Sequence, residues 1–61
     1  MQTKKLIKYR KAAKLSQSDV ARKLGCTAAA VNQYEKGKRT PAIDVLVKLA
    51  KIYGCTVNDF V

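Results

Sequence analysis

The sequence predicts an all-α domain, a compact packing of four or five short helices around one core. Three observations point there. The 3 Gly and 1 Pro cut the 61 residues into short segments. Within each segment, apolar residues recur at three- and four-residue spacing, which lines one face of a helix. No segment alternates apolar and polar residues over a strand's length, and no Asn-Gly or Asp-Gly hairpin signal occurs.

The first predicted helix runs from Thr3 to Ala13, with Leu6, Tyr9 and Ala13 on one stripe and basic residues elsewhere. Ser16-x-x-Asp19 reads as a capping box opening the second, whose Val20, Ala21 and Leu24 turn inward before Gly25 stops it. Thr27 is a good N-cap for the third helix, which reaches Glu35 or Lys36 and ends at Gly37. A basic turn, Lys38-Arg39-Thr40-Pro41, leads into a fourth helix that faces Ile43, Leu46, Leu49, Ala50 and Tyr53 inward until Gly54. Thr56-x-x-Asp59 caps a last turn ending in Phe60. The connection Gly25-Cys26-Thr27 is short enough to set the second and third helices at a steep angle, the geometry of a helix-turn-helix.

One domain, residues 1–61, is all that this length accommodates, and a deep catalytic cleft does not fit in it. The content of 48% hydrophobic residues is that of a folding chain rather than a disordered one. No apolar run approaches a membrane span or a signal peptide, so the sequence points to the cytoplasm and to no membrane partner. Cys26 and Cys55 form at most one disulfide and, with no His, complete no usual zinc site; both read as small buried residues. No metal, cofactor or small-molecule effector is expected. Nor is catalysis: the four carboxylates are Asp19, Glu35, Asp44 and Asp59, and no nucleophile stands beside a recognisable base.

Charge supplies the functional direction. The 13 Lys and Arg against 4 Asp and Glu leave a net charge of +9, and residues 1–14 hold six of the cations with no acid. Such a field suits a polyanion, because each phosphate neutralised releases condensed counterions. At about 100° per residue the third helix places Thr27, Ala30, Val31 and Tyr34 on an inner arc and Ala28, Ala29, Asn32, Gln33 and Lys36 on an outer one. That outer arc has no carboxylate. In a major groove, carboxamides pair bidentately with adenine and alanine methyls meet thymine methyls. Alanines and amides also suit an ordinary solvated helix face. Gln17 at the start of the second helix, and Lys38 and Arg39 beyond the third, favour the groove because they stand where phosphates would pass on either side. RNA suits the chain less, since the narrow A-form major groove excludes a helix and no aromatic stacking platform is present. A membrane-active cationic peptide is disfavoured by the internal caps and evenly spread core residues.

The run Leu15-Ser16-Gln17, then Val20-Ala21-x-x-Leu24-Gly25-Cys26-Thr27, then Val31-x-x-Tyr34-Glu35-x-Gly37 and Pro41, closely resembles the phage-repressor-like helix-turn-helix family, the XRE or lambda repressor/Cro type. The resemblance covers about Leu6 to Phe60. It implies a five-helix, lambda-repressor-like domain that binds double-stranded DNA as a homodimer on an inverted-repeat operator. It implies base reading by Ala28, Ala29, Asn32 and Gln33, and phosphate contact by Gln17, Thr27, Lys36, Lys38 and Arg39, with Gln17 also steadying a side chain of the recognition helix. It further implies an ion pair of Arg10 with Glu35, and dimer contacts from Val57, Phe60 and Val61, although Phe60 suits the core equally well. Ala42 stands where the family commonly has Ser, which leaves Thr40 to cap the fourth helix. With no appended effector domain in the sequence, the expected role is a small stand-alone repressor of prophage or Cro type. The alternative is a DNA-binding antitoxin or restriction-control protein that depends on a protein partner.

Overall fold

The computed structural model describes residues 2–60, in which four α-helices and a closing 3-10 turn pack around one core and no strand occurs. The helices are α1 (Thr3–Ala12), α2 (Gln17–Leu24), α3 (Ala28–Lys36) and α4 (Ile43–Tyr53). The fifth helix implied by the resemblance is this 3-10 turn, Val57–Phe60. Val61 lies outside the described residues.

Helix ends carry much of the architecture. Ser16 Oγ accepts from the Asp19 backbone N–H while an Asp19 carboxylate oxygen accepts from the Ser16 N–H, both at 3.0 Å, closing the capping box. These bonds, the backbone one foremost, hold the exposed Asp19 carboxyl below its usual range. Thr27 Oγ1 accepts from the Ala30 N–H at 3.2 Å and so opens α3. The same C-terminal device closes all four helices: a left-handed residue followed by an N–H that reaches back five positions to a carbonyl. Those bonds run from Leu15 to Arg10, Cys26 to Ala21, Lys38 to Gln33 and Cys55 to Ala50. Glycine supplies the left-handed residue three times, but after α1 it is Lys14 at φ 60°, a conformation that costs a side chain about 1–2 kcal/mol. The recurring Gly-Cys-Thr corner is this device used twice.

Leu6, Val20, Ala21, Val31, Tyr34, Leu49, Ala50 and Phe60 form the core. Phe60 is fully buried, with the Tyr9 and Tyr53 rings edge-on against it at centroid distances of 5.8 and 6.1 Å. Its own carbonyl accepts from the Gln2 N–H at 2.9 Å, which ties the two ends of the domain together. Phe60 is therefore a core residue of the monomer, not the dimer contact offered above. α3 packs against both α1 and α2, so its inner face is fixed from two sides.

Four expectations are corrected. Ile43 is 66% exposed, whereas Val45 and Leu46 of the same turn pack against the core. Thr27 is exposed: its side chain is spent on the cap and does not enter the core. Cys26 is exposed and Cys55, which packs against the edge of the core, is only half-buried; both are free thiols. Thr40 does not cap α4, whose N-cap is Ala42 with no side-chain hydrogen bond, while Pro41 is buried in the turn before it.

Two predictions follow from this packing. Phe60→Ala removes about 3–5 kcal/mol, most of the stability expected of so small a domain, and Phe60→Leu far less; urea denaturation distinguishes them. Burial, aided by the Glu35 carboxylate, pushes the Tyr53 hydroxyl up from 10.0 to about 12. The folded state then holds this proton more tightly than the unfolded chain, so its contribution is intact below pH 10.0 and is lost as pH rises to about 12. Tyr53→Phe should remove that part of the alkaline decline, and equal slopes for the two proteins would refute the assignment.

Candidate nucleic-acid interface

α3 is built as a two-sided element. Its inner side carries Val31 and Tyr34, both buried, with Ala30 half-buried beside them. Its outward side carries Ala29, Gln33 and Lys36, all exposed, while Ala28 and Asn32 are half-buried at its edges. Of the sequence-predicted base-reading residues, the structure therefore leaves Ala29 and Gln33 open and Ala28 and Asn32 partly covered. The only carboxylate of α3, Glu35, is 5% exposed and points inward.

Arg10 makes that inward carboxylate tenable. Its Nε donates to Glu35 Oε2 at 2.6 Å and its Nη2 to Glu35 Oε1 at 3.3 Å, a two-pronged pairing between α1 and α3. Nη1 donates at 3.0 Å to the Leu15 carbonyl in the turn before α2. An isolated charge at this depth would cost several kcal/mol, so the pair and its extra hydrogen bonds are what permit the burial.

Gln17 completes the cluster. Its Nε2 donates to Glu35 Oε1 at 2.9 Å and to Asn32 Oδ1 at 3.2 Å, linking the first residue of α2 to two residues of α3. The α3 side chain that Gln17 steadies is thus Asn32. Both hydrogens of the Gln17 amino group are used inside the protein, so at this position the groups left to meet an anion are backbone N–H groups at the start of α2. Residue spacing gave no sign of the Asn32 partner or the Leu15 carbonyl, and nothing in the Lys14 side chain announces a left-handed backbone.

Cations frame the outward side. Lys36 ends α3, and Lys38 and Arg39 follow it, all exposed. The Arg39 guanidinium lies over the Tyr34 ring, 5.8 Å from its centroid, which restrains an otherwise free side chain. Elsewhere, Asp19 is engaged by Ser16 and Arg22, and Asp59 by Thr56. Among the described residues, no cluster of His, Cys, Asp or Glu could hold a metal ion.

Residues 6–60 match the family model described as helix-turn-helix. An uncharacterized HTH-type transcriptional regulator of Methanocaldococcus jannaschii is 38% identical over 55 residues, covering 90% of this chain and 83% of that protein. The HTH-type transcriptional regulator PuuR of Escherichia coli (strain K12) is 39% identical over 57 residues, 93% of this chain but 31% of PuuR, and its namesake in Shigella flexneri matches equally. The chain thus spans about a third of the PuuR proteins. No solved structure gives a significant match.

Removing one partner of the buried pair should be costly. Arg10→Ala is expected to lower stability by about 3–5 kcal/mol in urea denaturation, with Arg10→Lys recovering only part, since an ammonium cannot reproduce the fork. An unchanged denaturation midpoint for Arg10→Ala would show that the pair is dispensable.

Proposed function

The chain belongs to the XRE-type helix-turn-helix family of transcriptional regulators, and from that premise we propose that it is a sequence-specific double-stranded DNA-binding repressor, acting as a homodimer on an inverted-repeat operator. The observation that carries this reading is the outward face of α3: amides and alanines with no carboxylate, its one acid turned inward, and cations at its end. A helix so prepared enters the major groove without repelling phosphates.

In this reading Gln33 and Asn32 contact base edges, and Ala28 and Ala29 let the helix approach closely and touch thymine methyls. Lys36, Lys38 and Arg39 grip the backbone on one side. The start of α2, with Gln17 as its first residue, and the start of α3 at Thr27 present backbone N–H groups to phosphates. The dimer surface is placed on α4 and the 3-10 turn, where Ile43 and Val47 are exposed large apolar residues and Val57 is half-buried. Asp44, on the same exposed stretch as Lys48 and Lys51, gives a two-fold pairing of α4 helices complementary charges. In this reading the role is that of a regulator of prophage or Cro type, working in the cytoplasm.

Selection of duplexes from a random pool at about physiological salt tests the reading. Enrichment of an inverted repeat, with half-sites about one helical turn apart, supports it; salt-sensitive binding to every duplex without enrichment would favour a partner-dependent antitoxin or restriction-control protein. Within the enriched site, Gln33→Ala should relax one base position per half-site by about 1–3 kcal/mol and leave non-specific affinity nearly unchanged. Lys38→Ala should weaken binding to all duplexes and lower the salt slope by about one. Equal behaviour of the two variants across sequences would dissolve the division between reading and gripping.

A further inference from the structure

A carboxylate can only accept hydrogen bonds, and that fixes the orientation of the two carboxamides beyond it. Glu35 Oε1 lies 2.9 Å from the Gln17 side-chain amide, so the group facing it must be the amino group. The reversed amide would set two acceptor oxygens against each other. The second hydrogen of that amino group goes to Asn32, 3.2 Å away, so the atom Asn32 turns to it must be Oδ1. Asn32 Nδ2 is then the end of the carboxamide that faces away from Gln17. Arg10 anchors the chain at its buried end by holding Glu35 with two hydrogen bonds.

Resting on the proposed reading of α3 as the DNA-facing helix, we infer that Gln17 and Glu35 are specificity-positioning residues. They fix the polarity of Asn32, so that it meets its base as a hydrogen-bond donor and selects an edge made of acceptors. Guanine, with N7 and O6 both accepting, is the best match in the major groove. Adenine is disfavoured, because bidentate pairing needs the carboxamide oxygen to accept from N6, and Asn32 Oδ1 is turned toward Gln17. This reverses the adenine pairing that carboxamides on the outer arc suggest when that helix is considered alone.

Two measurements decide it. The first needs no DNA: hydrogen exchange of the side-chain amides by NMR in the free protein. Protected Gln17 amino hydrogens, with Asn32 amino hydrogens exchanging faster, support the relay; the opposite pattern overturns it. The second is duplex selection with the native chain, Asn32→Ala and Gln17→Met, thermal unfolding being used to choose a temperature at which each is folded. Asn32→Ala identifies the base pair that Asn32 reads. There the native chain should prefer guanine over adenine by about tenfold or more, and Gln17→Met, which frees the Asn32 amide to rotate, should erase or reverse that preference. Adenine preference in the native chain, or an identical guanine preference in Gln17→Met, overturns the inference. If the native chain enriches no site while the exchange pattern holds, the reading of this chain as a sequence-specific binder by itself fails, and with it the relay's part in specificity.

Discussion

The ion pair of Arg10 and Glu35 is the constraint around which the rest is arranged. A domain this small has few residues with which to hold three helices at fixed angles, and the pair joins α1 to α3 while reaching the turn before α2. In net energy such a pair contributes little beyond what well-packed apolar residues would supply, because desolvation offsets most of the attraction. Its value is positional. Apolar contacts tolerate sliding and rotation, whereas a forked pairing with a third hydrogen bond to a carbonyl has one good geometry. The pair also takes the only acid of α3 out of its outward face.

A second constraint is charge. A net +9 on 61 residues repels itself and works against the compact state, and counterions or a polyanion relieve that strain. The chain compensates locally. Asp19 and Asp59 stand three residues after Ser16 and Thr56, accepting from the backbone at the start of α2 and of the closing turn, and Asp44 lies in the first turn of α4, where a helix favours negative charge. Few acids are thus placed where they stabilise helix starts without cancelling the positive surface. The same economy explains the repeated helix closure, which satisfies terminal carbonyls with backbone alone and consumes no side chain.

Legibility in the sequence follows from the range of each interaction. Helix starts and stops were readable because a capping box spans three residues and a left-handed glycine acts on its own helix: Ser16 with Asp19, Thr27, Gly25, Gly37 and Gly54 all fall as read. Core positions were readable wherever another helix covers the periodic face, as for Leu6, Val20 and Leu49. Ile43 departs from its periodic face for the same reason in reverse. Its spacing places it with Leu46 and Ala50, but coverage depends on what lies nearby in space, and Ile43 is left exposed while Val45 and Leu46 of the same turn pack against the core. Phe60 could not be assigned between surface and core, since a terminal aromatic satisfies either pattern, and the rings of Tyr9 and Tyr53 that enclose it come from 51 and 7 residues away in sequence. At the candidate site, the outward face of α3 was legible by periodicity. The resemblance implied that Gln17 steadies a side chain of this helix, but its commitment to Asn32 in particular was not legible, being a long-range contact made only once α2 and α3 cross.

That commitment bears on how much sequence information a single copy can carry. On the proposed reading, the side chains of α3 able to hydrogen-bond to base edges are Asn32 and Gln33, the alanines adding only methyl contacts. A well-formed base contact discriminates by about 1–3 kcal/mol, whereas operators are bound about 4–10 kcal/mol more tightly than bulk DNA. One copy therefore reaches only the lower part of that range. A two-fold pair doubles the readers and adds the energetics of bending the duplex between half-sites, which discriminates at positions no side chain touches. The exposed Ile43 and Val47 of α4 matter in this light. With so small a reading face, pairing through a second surface is what would turn a positively charged helix-turn-helix into a selective one.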